Sequence, residues 1–258
     1  MRAAPATGAR LPAAVPAAIA GAWVITLVAQ VSGRARLLDH DALVQADLPL
    51  AAAVAVFVVA WQVMVAAMML PSALPLVRLF AVTSASQPRR RAVMAAFLGG
   101  YGAVWAAFGA VAFLADVGFH RLVERWAWLE ARPWLVLGAV LVGAGAFQFS
   151  DLKDKCLDKC RHPGAYLLPR YRRGVGAAFH LGAGHGLFCL GCCFALMAVM
   201  FAVGMGSLVW MGVLAALMVH EKTGPGGKRS VPVAGWSLLT AGAVMLLAPG
   251  LLPDLLTR

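Results

Sequence analysis

HGLFCLGCCFALMAVM, residues 185–200, is the stretch whose reading decides the fold. It holds no acidic or basic residue apart from its first histidine, and it lies inside a longer apolar segment, 176–203. An apolar run of that length reads as a helix crossing a bilayer. Three of the chain's five cysteines fall within it. On a helix, residues three or four apart share a face. His185, Cys189, Cys193 and Met197 then form one stripe, flanked by Cys192 and Met200. Imidazole, thiol and thioether are soft donors suited to a soft metal ion or to redox chemistry. The plainer alternative is a soft-packed face, because free cysteine behaves as a small hydrophobe. Three cysteines in five residues, one turn after a histidine, exceed what packing usually requires.

The rest of the chain places that segment in a polytopic membrane protein. Of 258 residues, 62% are hydrophobic and only 13% charged, and the apolar residues come in blocks. A soluble fold of this size could not hide so much apolar surface. Seven apolar segments are expected at about 11–31, 50–71, 92–115, 133–149, 176–203, 207–222 and 231–248. The first reads as a retained helix, because it exceeds a signal-peptide core and lacks a nearby cleavage pattern. Pro71 and Pro75 are expected to end the second, leaving Arg78 and Arg89–Arg91 in a loop. Residues 117–132, with Trp126 and Trp128, fit a short helix lying in the interface. The expected fold is an all-α transmembrane bundle of about seven helices, one domain over 1–258.

The net charge of +11 sits between these blocks, where orientation signals and lipid headgroup contacts are found, which argues against nucleic acid. With a cytoplasmic N-terminus, 16 of the 22 basic residues fall on the inside. They are Arg2 and Arg10, Arg78 with Arg89–Arg91, seven between Lys153 and Arg173, and Lys222, Lys228 and Arg229. The outside keeps Arg34, Arg36, Arg121, Arg125, Arg132 and Arg258. The positive-inside rule favours this orientation.

That topology sets depths. At 1.5 Å per residue, Met64 lies about 10 Å from the inner boundary, His185 about 13 Å and Cys189 about 20 Å. Met68, Met69 and Glu221 belong to the same half of the bilayer. Gly182 and Gly186 form a GxxxG pair that lets a neighbour approach closely, and the second helix, with Met64 or Met68, is the expected one. Lys222 is expected to snorkel to the headgroups or to pair with Glu221. In the basic loop, Cys156 and Cys160 form CxxxC. On a helical turn these thiols face the same way, and the surrounding lysines favour thiolate. The pair reads as a transfer point apart from the deep site, or as two ordinary thiols; the spacing matches no zinc-finger pattern.

Taken in order, WQVMVAAMMLPSALP, LKDKCLDKCRHP, HGLFCLGCCFALM and HEK resemble the bacterial membrane proteins of domain of unknown function 2182, described as predicted metal-binding integral membrane proteins. The resemblance spans about residues 50–225. It implies a bacterial inner-membrane location and a role for Met64, Met68, Met69, Gln148, Lys153, Cys156, Cys160, Arg161, His185, Cys189, Cys192, Cys193, Glu221 and Lys222. Phe194 stands where that pattern often has tryptophan, and His180 and His220 match no position in it.

The combined reading is a membrane protein that binds Cu(I) in transport, storage or delivery, with membrane lipids and a membrane-protein or metallochaperone partner. Zinc is a poorer match, because it rarely takes methionine. The rivals are an intramembrane thiol or quinone oxidoreductase using Cys189, Cys192 and Cys193, and a purely structural assembly partner. No P-loop, dinucleotide fingerprint, HExxH or serine-nucleophile motif is present, so a hydrolase or kinase is not expected.

Overall fold

A computed structural model describes residues 11–33, 43, 48–204 and 207–248. The ionisable residues Arg2, Arg10, Arg34, Arg36, Asp39, His40, Asp41, Asp47, Asp254 and Arg258 lie outside those residues. Among the described residues the chain is all-helical: α1 Ala14–Val31, α2 Leu50–Met68, α3 Leu70–Thr83, α4 Arg90–Val123, α5 Ala127–Glu130, α6 Pro133–Phe147, α7 Asp151–Arg161, α8 Pro163–Leu167, α9 Val175–Val203, α10 Leu208–Thr223 and α11 Gly227–Leu247. Each of the seven expected apolar segments is a helix. Five of them (α1, α2, α4, α9 and α11) are long and apolar enough to cross a membrane. Helices α6 and α7, bent by 65° at their junction, make a sixth if taken together. Several helices able to cross a membrane are what a multi-pass membrane protein requires.

Three local expectations are corrected. Pro71 does not end the helical run. It sits in the first turn of α3, where a missing N–H costs nothing, and Pro75 lies inside that helix, so Arg78 is helical too. Residues 117–123 continue α4, a helix of 34 residues, and only Ala127–Glu130 is separate, so the 117–132 interfacial helix does not form as a unit. The basic loop after α6 is largely helical. Ser150 accepts from Lys153 N at 3.2 Å, and acidic residues lie in the first turn of α7 with Lys159 and Arg161 in its last. That is the charge order a helix dipole favours.

The most extensive pairing is α4 against α9, and small residues make it possible. A Cβ on Gly182 would collide with the Phe97 carbonyl, and one on Gly100 with the Phe179 carbonyl. On Gly186 it would lie 3.0 Å from Val104 Cβ. The GxxxG pair therefore receives α4, not the second apolar helix. Toward the other end of the bundle the core is aromatic. Phe57 stacks on Phe113 at 4.6 Å, and Trp61 donates to the Trp105 carbonyl at 2.9 Å.

The basic segments gather at the opposite end. Gln87 Nε2 donates to the Tyr171 hydroxyl at 2.8 Å, Tyr171 donates to the Thr83 carbonyl at 2.9 Å, and Arg173 donates to the Ser86 carbonyl at 3.2 Å. Lys228 pairs with Asp154 at 2.9 Å and Asp158 at 2.7 Å.

Candidate metal centre

Helix α7 is amphipathic, and its buried face carries Lys153, Cys156, Leu157 and Cys160 at helical spacing. That face meets α9 and α10. Lys153 Nζ lies 2.6 Å from Glu221 Oε2, with both side chains 1% exposed. Removing two such charges from water is costly, and their contact repays it only while both are present. Arg161 donates to the Glu221 carbonyl and, at 3.2 Å, to the Gly224 carbonyl. It thereby satisfies the Glu221 carbonyl, an orphan acceptor in the last turn of α10.

Lys222 points elsewhere. Its side chain is buried, and Nζ lies 3.0 Å from Cys189 Sγ and 3.1 Å from Ser72 Oγ. It neither snorkels nor pairs with Glu221, because adjacent residues on a helix point about 100° apart. Glu221 turns to α7, while Lys222 turns to α9 and α3.

On α9, Cys189, Cys192 and Cys193 are all buried. Cys189 Sγ lies 3.1 Å from the Tyr101 hydroxyl. Cys192 Sγ lies 3.6 Å from Cys193 Sγ and 3.9 Å from Cys160 Sγ on α7. Cys156 seats against Gly191, where an added Cβ would approach its sulfur to 2.5 Å. Of the CxxxC pair expected to stand apart, Cys160 thus meets Cys192 of α9 and Cys156 packs on α9 at Gly191. All five cysteines are free.

His185 is 3% exposed. Its ring lies between Tyr101, at 5.7 Å, and Tyr166, at 5.6 Å, and its Nδ1 has no hydrogen-bond partner. Burial pushes the Tyr166 phenol up to about 12, so it stays protonated and donates to the Leu181 carbonyl at 2.8 Å. Met64, Met68 and Met69 are buried at the junction of α2 and α3, near Ser72 in sequence. Gln148 is buried, with both amide atoms unpaired.

Among the described residues no three His, Cys, Asp or Glu share a ready coordination shell; the thiols meet pairwise. Metal–thiolate bonds of about 2.3 Å permit sulfur separations up to about 4.6 Å. The 3.6 and 3.9 Å pairs fit a single soft ion held by two sulfurs. A structural zinc site would need four donors around one point.

Sequence reasoning missed Ser72, Tyr101, Tyr166 and Gly191 as neighbours of the site. A serine, two tyrosines and a glycine in apolar helices carry no pattern that marks them. Gly191 alone left a trace, a small residue between two cysteine positions.

No curated protein and no solved structure matches this chain. Residues 58–245 match the family model PpoB2, described as a copper chaperone. That span takes in α3, α4 and every helix that contributes to the thiol cluster, and the chain belongs to the PpoB2 copper chaperone family.

Proposed function

We propose that this protein carries Cu(I) at the buried thiols of α7 and α9, in the inner membrane of a bacterium, and delivers it to a membrane-bound acceptor. The observation that carries this reading is the meeting of two separate cysteine motifs, Cys160 with Cys192 at 3.9 Å. Two sulfurs from different helices form a site that a soft cation can bridge and that helix movement can open. Copper as cargo supplies the positive charge that buried thiolates need. Two thiolates and one Cu(I) leave a single negative charge, which the Lys222 ammonium beside Cys189 offsets. Cys193, Cys156 and the free Nδ1 of His185 are nearby donors for transfer, and the buried methionines suit Cu(I) better than zinc. The basic end of the bundle faces the cytoplasm in this reading, and the resemblance to the domain of unknown function 2182 proteins points the same way.

Elemental analysis of purified protein tests it, with Cys160→Ser and Cys192→Ser beside wild type. Copper should fall to background in both variants, because each removes half of the bridging pair. Unchanged copper would end the proposal. A Cys160–Cys192 disulfide that quinol reduces, in copper-free protein, would favour the oxidoreductase reading instead.

A further inference from the structure

An open cavity of about 510 Å³ lies beside α8 and the first half of α9, with no cysteine in its lining. Its rim carries Arg170, Arg172 and His180. Its wall runs down one face of α9 through Leu181, Gly184 and Phe188. These wall residues recur at helical spacing, so polar and apolar linings are segregated along the helix axis. From Leu181 to Phe188 the apolar wall descends about 10 Å below the rim, within one leaflet's share of a hydrocarbon core about 30 Å thick. Gly184 keeps the wall recessed, with Tyr166 at its back.

The rim is built for negative charge. Arg170 stacks over the Tyr166 ring at 5.0 Å and donates to the Tyr166 carbonyl at 3.2 Å, which fixes its guanidinium at the mouth. Arg172 and His180 are exposed beside it. Helix α9 begins after Gly174, and Ala177 of its first turn is part of the lining, so the positive end of the helix dipole lies near the rim. An ordinary soluble anion would use the rim and leave the apolar wall uncovered. An anionic phospholipid uses both.

We propose that this cavity is a binding site for an anionic phospholipid, with the phosphate between Arg170, Arg172 and His180 and an acyl chain along Leu181, Gly184 and Phe188. The inference rests on α9 crossing the membrane and not on copper binding. A bound lipid would pack on Tyr166, whose ring also covers His185, and so would stabilise the wall between the bilayer and the thiol cluster.

Native mass spectrometry of the full chain tests this, with phosphatidylglycerol, phosphatidylcholine or inorganic phosphate added in turn. Wild type should retain phosphatidylglycerol over phosphatidylcholine by about tenfold or more, the scale of two surface arginines. Arg170→Gln/Arg172→Gln should lose that preference. Arg90→Gln/Arg91→Gln, which removes the same charge from exposed positions at the start of α4, should keep it. Ala177→Trp, which narrows the cavity without changing charge, should weaken retention of both lipids. Equal retention of the two lipids by wild type would overturn the proposal. So would equal loss in the two arginine pairs, which would mean unspecific charge attraction, or full displacement by inorganic phosphate, which would mean a phosphate site.

Discussion

Replacing Lys153 by Met should cost this protein more stability than any other single change on α7. The ammonium lies 2.6 Å from Glu221 Oε2, and both side chains are 1% exposed. Glu221 Oε1 has no hydrogen-bond partner, and Arg161 reaches only backbone carbonyls there. Among the described residues no second cation is therefore placed to take over the carboxylate. Removing one partner of a buried pair costs about 3–5 kcal/mol, whereas replacing both by apolar groups is often close to neutral. For a chain of this size each kcal/mol moves Tm by about 2–4 °C, so Lys153→Met should lower it by roughly 6–20 °C. Glu221→Met should do the same, and the double variant should recover most of the loss. Thermal unfolding in detergent, followed by circular dichroism, provides the measurement. Single variants within about 1 kcal/mol of wild type would refute the reasoning, as would a double variant no better than the singles. Copper content in the double variant adds a second reading. If Glu221 is a ligand it falls despite recovered stability; if the pair only holds α7 against α10 it does not.

Lys222→Met should weaken Cu(I) retention against a chelator by about ten- to a hundredfold, given roughly 4 kcal/mol for a unit charge at about 4 Å and partial desolvation relief; retention equal to wild type would show that the ammonium does not balance the thiolates. Gly191→Leu should force α7 away from α9, because even a Cβ there meets Cys156 Sγ at 2.5 Å. Overpacking of this kind costs about 1–3 kcal/mol, and oxidative cross-linking of Cys160 to Cys192 should be lost, whereas persistence of that cross-link would refute the close seat of Cys156 on Gly191.

How much of this was legible beforehand divides along the range of the interactions. Hydropathy placed the apolar segments as helices, five of them long enough to cross a bilayer, because burial in a bilayer is decided by local composition over about 20 residues. Helical spacing likewise put His185, Cys189 and Cys193 on one stripe, since a 3.6-residue period is a property of the chain alone. Pro71 misled for the same local reason, while Pro75 is carried inside α3. Proline breaks a helix interior but is well placed in a first turn, and a one-residue break at Met69 put Pro71 there. Which helix met which lay beyond the sequence. Gly182 and Gly186 announced a close neighbour, yet only the packed bundle supplied α4, with Phe97 and Tyr101, as that neighbour. The adjacent residues Glu221 and Lys222 looked like a natural pair, but successive side chains on a helix diverge, and each found a partner on a different element. Cys160 and Cys192 are 32 positions apart and meet at 3.9 Å because α7 turns by 65° after α6 and lays its buried face on α9. Soft donors and their helices were written locally; their convergence depends on a bend and a three-helix contact, and those exist only once the chain has packed.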